Sequence, residues 1–219
     1  MMKNKKVFIV IAIILVIILL ILTWKIFLPK YYLNKALDLI DSENYIESLE
    51  MAEKSNSDEY KKRTEAIIVS LFMNEITNIA NSMNTIMENT NNLYSTYTDM
   101  INNGNVDKDN IDYSADDKIT ESVNELVEKV NNSKFSSDIL PEEANSINEK
   151  YEKLILNDFK NAYTEPLDKL KNLDKLQTYV NELSDISYSC YEIASDIENF
   201  SNSYNFSYVT EEDIERFAL

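Results

Sequence analysis

Thirty-eight carboxylates, fourteen tyrosines, one thiol and no imidazole set the chemistry open to this chain of 219 residues. Without histidine there is no His general base and no His-ligated zinc. The lone thiol, Cys190, can form neither an intrachain disulfide nor a cysteine metal cluster. It falls on an apolar helical stripe and reads as a small buried hydrophobe. A single glycine, Gly104, excludes glycine-rich phosphate loops of both the dinucleotide and P-loop kinds. Carboxylate pairs could in principle do acid–base work. The adjacent pairs Asp116/Asp117 and Glu142/Glu143 do not suit it, because neighbours on a helix point in different directions. Glycan hydrolysis would need two acids facing each other across a cleft.

One acidic loop, Asn103–Asp117, has some calcium-loop character. Counted from Asn105, oxygen ligands fall on Asp107, Asp109 and Asp116. The sixth position, where the sharp turn needs glycine, holds Asn110, and the apolar eighth position holds Asp112. A solvated acidic turn between helices is the expectation, with no metal and no cofactor. The remaining candidates are aromatic: Tyr188, Tyr191, Phe200, Tyr204, Phe206 and Tyr208. Phe200 and Tyr204 lie on the apolar stripe and read as core. Tyr188, Phe206 and Tyr208 lie off it or beyond the helix, and exposed aromatics of this kind favour protein contacts. They are the candidate partner-binding residues.

The elements that must position them begin with "VFIVIAIILVIILLILTW" (7–24), in which only Thr23 is polar. At a helical rise these 18 residues span roughly 27 Å, close to the roughly 30 Å hydrocarbon core of a bilayer. No small-residue cleavage site follows, so an uncleaved anchor is expected, not a removable signal peptide. No cysteine closes the run, which argues against a lipoprotein. Lys3, Lys5 and Lys6 precede it without an acid, and Lys25, Lys30 and Lys35 follow it. The leading cluster favours an amino terminus held in the cytoplasm and residues 30–219 outside it. Five lysines and no acid occupy the first 30 residues, so the remaining 189 carry 16 basic and 38 acidic side chains, net −22. Such a surface repels nucleic acid and anionic headgroups. The 27 asparagines, against one glutamine and two arginines, match the codon bias of an AT-rich bacterial genome.

Past the anchor, apolar spacing is helical. Val69, Phe72, Ile76, Ile79, Met83, Ile86, Thr90, Leu93, Tyr97 and Met100 alternate steps of three and four. Met73, Ala80, Met87, Tyr94 and Ile101 widen that stripe, as suits a bundle helix. Ile119, Val123, Leu126 and Val130 mark a shorter helix. After Pro141 the stripe runs Ala144, Ile147, Tyr151, Ile155, Phe159 and Ala162. It continues past Pro166 through Leu170, Leu173, Leu176, Val180, Leu183, Ile186, Cys190, Ile193, Ile197, Phe200 and Tyr204. Pro166 must kink or break the helix, and matched helix lengths favour a break. A last short helix starts at Thr210, with Asp213 three residues on and Ile214 and Phe217 inward.

The stretch "ALDLIDSENYIESLEMAEKSNSD" (36–58) resembles the middle of a tetratricopeptide repeat. Tyr45 stands at that repeat's turn tyrosine, and Ser48 and Ser55 at its small positions. Glu43 replaces the usual glycine, Ala52 replaces a bulky residue, and no closing proline follows. The resemblance, over residues 33–58, implies one helical hairpin beside the membrane; a peptide-binding groove does not follow from it, since such arrays need three or more copies. The expected architecture is all-α: a transmembrane helix (1–29), a membrane-proximal hairpin (30–57) and an elongated antiparallel helical bundle (58–219). The expected role is non-enzymatic. It is that of a single-pass bacterial envelope protein whose acidic ectodomain binds an unidentified protein or acts as a spacer. The alternatives are a ligand-sensing or immunity/exclusion ectodomain working with a membrane partner, and a carboxylate-dependent glycan hydrolase.

Overall fold

The computed structural model describes residues 13–103, 113–170 and 173–219, without the side chains of 101, 113 and 173–176. The calcium-loop positions Asp107, Asp109, Asn110 and Asp112, and the stripe positions Ile101, Leu173 and Leu176, lie outside that description. Every regular element among the described residues is helical. The chain packs as two units, one of residues up to Leu71 with Asn205–Leu219, the other Phe72–Tyr204.

In the first unit, α1 (Ile13–Asp41) is one helix long and apolar enough to cross a membrane. Its apolar half is exposed on all sides from Ile13 to Leu28. Thr23, the polar residue of that run, donates its hydroxyl to the Leu19 carbonyl at 2.8 Å. Over Thr23–Phe27 the helix widens to a π turn in which the Leu28 N–H reaches the Thr23 carbonyl. Pro29 follows at once. Proline lacks an N–H and clashes with the turn before it, and a widened turn is one way a helix passes such a residue.

Beyond Pro29, α1 folds back on α2 (Tyr45–Lys54) to form the hairpin. Leu33, Ala36, Leu37 and Ile40 bury their side chains, as do Tyr45 and Ala52. The Ser48 hydroxyl, fully buried, donates to the Ala36 carbonyl at 2.9 Å, which explains a small residue there. Glu43 occupies the left-handed region at φ 56°, a conformation that glycine adopts most readily. The first turns of α3 (Asp58–Asn102) and the C-terminal segment complete this unit.

That segment ends in α9 (Glu211–Phe217), opened by a capping box: the Thr210 hydroxyl accepts from the Asp213 N–H, and the Asp213 carboxylate accepts from the Thr210 N–H. The sequence reading placed Ile214 inward, but it is 47% exposed and Asp213 is fully buried instead. The cause is polar. Arg63 of α3 donates from Nε and Nη2 to the two Asp213 oxygens at 2.8 and 2.7 Å, which turns the first-turn acid, not the apolar face, toward the unit. Arg216 donates to Asp38 at 2.8 Å and to Asp41 on α1. The chain's two arginines thus both fasten its C-terminal helix.

In the second unit the stripe of α3 is buried at Phe72, Ile76, Ile79, Met83, Ile86, Thr90, Leu93 and Tyr97. Thr90 is tolerated there because its hydroxyl donates to the Ile86 carbonyl at 2.9 Å. Phe72 meets Phe135 edge to face at 5.4 Å. Helix α4 (Tyr113–Asn131) buries Ile119, Val123, Leu126 and Val130 as its spacing requires. Helix α5 (Glu142–Lys153) passes through a π turn (Leu154–Phe159) into α6 (Lys160–Tyr163). There the chain breaks before α7 (Pro166–Leu170) and α8 (Leu173–Ser203).

The break at Pro166 uses Thr164 in extended conformation and Glu165 at φ 59°, a strained value for a residue other than glycine. Neighbours hold it. The Leu167 N–H donates to the Asp116 carboxylate at 2.8 Å, and the Lys169 ammonium donates to the Asn161 and Ala162 carbonyls that close α6.

One register differs from expectation. Val180 is exposed, and Tyr179 takes its place in the core. The buried set on α8 is Tyr179, Ile186, Ile193 and Phe200, a strict repeat of seven, with Leu183, Cys190 and Ile197 half-buried beside it. The sequence spacing takes a step of four from Leu176 to Val180, whereas the buried position is Tyr179. Tyrosine buries the larger apolar surface, although its hydroxyl is enclosed without a hydrogen-bond partner among the described residues.

Candidate functional site

The repeat on α8 dictates what the helix leaves outside. With Ile186, Cys190 and Ile193 turned inward, Tyr188 and Tyr191 stand off the stripe, three residues apart, where helical neighbours share a face. Tyr188 is 64% exposed and Tyr191 73%. Sequence reasoning named Tyr188 and passed over Tyr191, which carries the larger exposure. The signal available was its i+3 spacing from Tyr188, masked by its place next to the stripe residue Cys190.

Tyr191 stands between two hollows. On one side, Met83, Met87, Tyr151, Leu154, Cys190 and Tyr191 line a cleft of about 260 Å³ among α3, the α5 region and α8. On the other, Lys150, Lys153, Asp158, Glu192 and Asp196 border an open depression of about 540 Å³. The Lys150 ammonium donates to the Asp196 carboxylate at 2.6 Å across it. Tyr191 thus stands exposed between a mainly apolar slot and a charged rim.

Burial sets the protonation of the groups that line this cleft. Burial, then the proximity of Cys190, pushes the Tyr151 phenol well above its usual range. Burial pushes the Cys190 thiol up to about 11, so it stays protonated at neutral pH and is a poor nucleophile. Cys190 was read as buried; it is half-buried and lines the cleft. Tyr179 is raised by burial and then by Asp116 and Glu182, while the Lys169 ammonium sits 5.6 Å from its ring centre.

No protein-family model, curated protein or solved structure matches this chain.

The other aromatic candidates are placed elsewhere. Phe206 and Tyr208 share a short 3-10 turn (Phe206–Tyr208) in the first unit, and both are half-buried. The Lys62 ammonium lies 5.5 Å from the Tyr208 ring centre, so that face is partly committed within the unit. Tyr188 belongs to the second unit and is not grouped with them. Of the carboxylate pairs, Asp116 caps the start of α7 while Asp117 is exposed. Glu142 and Glu143 are both exposed in the first turn of α5, where the helix dipole favours them. Among the described residues no three acids or thiols converge as a metal site requires.

Proposed function

We propose that this chain is a single-pass membrane protein of a bacterial envelope. Its amino terminus lies in the cytoplasm, and an elongated antiparallel helical bundle outside serves protein–protein interaction or holds a partner off the membrane. The observation that carries the reading is α1: an apolar helix exposed on every side that runs without a break into a packed hairpin. Exposed apolar surface of that extent is costly in water and needs a covering. The role of the remainder follows from what its surface offers. A cleft of about 260 Å³ is small for a drug-sized ligand, whose pockets run roughly 300–1,000 Å³, but it accepts one or two partner side chains. Tyr188 and Tyr191 supply exposed aromatics beside it. No enzymatic role is proposed.

Topology is the first test. In intact cells stripped of their wall, external protease should remove the chain beyond Tyr32 and leave a short membrane-bound fragment, and a reporter fused after Leu219 should be active only outside the cytoplasm. Full protection in sealed cells, with digestion after lysis, would reverse the orientation.

A further inference from the structure

Resting on the anchor reading, we propose that Trp24, Lys25, Phe27, Lys30 and Tyr31 form a collar embedded in the lipid headgroup layer. This collar fixes the hairpin just above the bilayer surface on a short helical stem, with no flexible spacer. The partner is thus the interfacial zone of the membrane itself, with lysine ammoniums on lipid phosphates and aromatic rings at the ester level.

Four observations converge. Trp24, Phe27 and Tyr31 are 74%, 66% and 58% exposed, and they recur at steps of three and four along α1. Amphipathic aromatics flanked by lysine are the side chains that favour a membrane–water boundary. The distances also fit. The apolar run through Trp24 fills the hydrocarbon core, and hairpin burial begins at Leu33, nine residues on or about 14 Å at helical rise. The headgroup zone of one leaflet takes roughly 5–8 Å of that, which leaves about 6–9 Å, between one and two helical turns, before packed protein begins. Third, the backbone departs from α geometry where water is available. The π turn at Thr23–Phe27 and the missing N–H of Pro29 leave the helix short of donors, a deficit that headgroups and water relieve and hydrocarbon does not. The polar residue nearer the core, Thr23, has its hydroxyl satisfied by Leu19. Fourth, the helix is continuous across this zone, so the depth of Trp24 fixes that of the hairpin.

Trp24 is the chain's single tryptophan, so its fluorescence reports the collar without labelling. The full chain is reconstituted into phosphatidylcholine vesicles that contain lipids brominated near either the headgroup end or the methyl end of the acyl chains. The result expected is flotation with the vesicles and Trp24 quenching at least twofold greater by the shallow bromines. In a Trp24→Phe, Tyr31→Trp variant, quenching should pass from the brominated chains to headgroup spin labels. Flotation with deepest quenching by the methyl-end bromines, or with no lipid quenching and free access to acrylamide, would overturn the collar while leaving the anchor. Failure to float would overturn the anchor, and the collar with it.

Discussion

Phe159→Ala should destabilise the Phe72–Tyr204 unit by about 3–5 kcal/mol, the range for truncating a fully enclosed phenylalanine. Phe159 is 0% exposed at the end of the π turn, its ring stacked on Tyr163 at 4.4 Å. Substitution removes the apolar transfer term and the stacking contact, and it leaves a void that a rigid turn cannot collapse to fill. Against a typical domain stability of about 5–15 kcal/mol, a loss of that size is decisive. The check is the urea midpoint of the detergent-solubilised chain, followed by far-ultraviolet circular dichroism. A surface control on α3, Asn81→Ala, should be neutral or slightly stabilising, since Asn81 is exposed and alanine is the better helix former.

Arg63→Ala should cost the other unit about 3–5 kcal/mol, because it strands a buried carboxylate. Asp213 is fully buried and its two oxygens are held by the Arg63 fork. Burial alone would raise the Asp213 carboxyl; hydrogen bonds from Arg63 and Thr210 and the Arg63 charge overcome it and hold it below the usual carboxylate range. The sign of the pH dependence follows. A depressed folded value gives stability that is complete above the unfolded carboxylate pKa of about 4 and is lost as pH falls through the folded value. In the variant the burial cost remains without its compensation, so the carboxyl protonates more readily. The penalty of Arg63→Ala should therefore be largest at neutral pH and shrink below about pH 4. Arg216→Ala should cost less than about 1 kcal/mol, because its pairs with Asp38 and Asp41 are solvent-exposed. Amide exchange over residues 211–217 distinguishes the two: Arg63→Ala should abolish protection there, and Arg216→Ala should only reduce it.

What could be read from the sequence was what periodicity determines. The α3 stripe from Phe72 to Tyr97 lies buried at every main position because steps of three and four admit only one helical face. Proline marked the break at Pro166 for the same local reason, its missing donor. The misses have long-range causes. Ile214 was placed inward on apolarity, but the orientation of α9 is set by Arg63, 150 positions earlier in the chain, and no local pattern announces that pair. Tyr179, not Val180, is the buried member of that pair, and a choice between adjacent positions is one that spacing alone does not make. The candidate surface was half legible. Tyr188 stood clear of the stripe, but the cleft under Tyr191 exists only because α3, the α5 region and α8 meet there, with Met83 and Met87 contributed from about a hundred residues away.

The proposed protein contact on the second unit is tested most directly by site-specific photo-cross-linking in native membranes. Tyr191→p-benzoylphenylalanine places the probe between the cleft and the charged depression. Glu121→p-benzoylphenylalanine, at an exposed position of α4, is the control. The account predicts one discrete heavier species from the Tyr191 probe and none from Glu121, with the adduct lost on Met87→Lys, which charges the cleft. Identical patterns from both probes, or no adduct at Tyr191 in membranes where the protein is abundant, would contradict it.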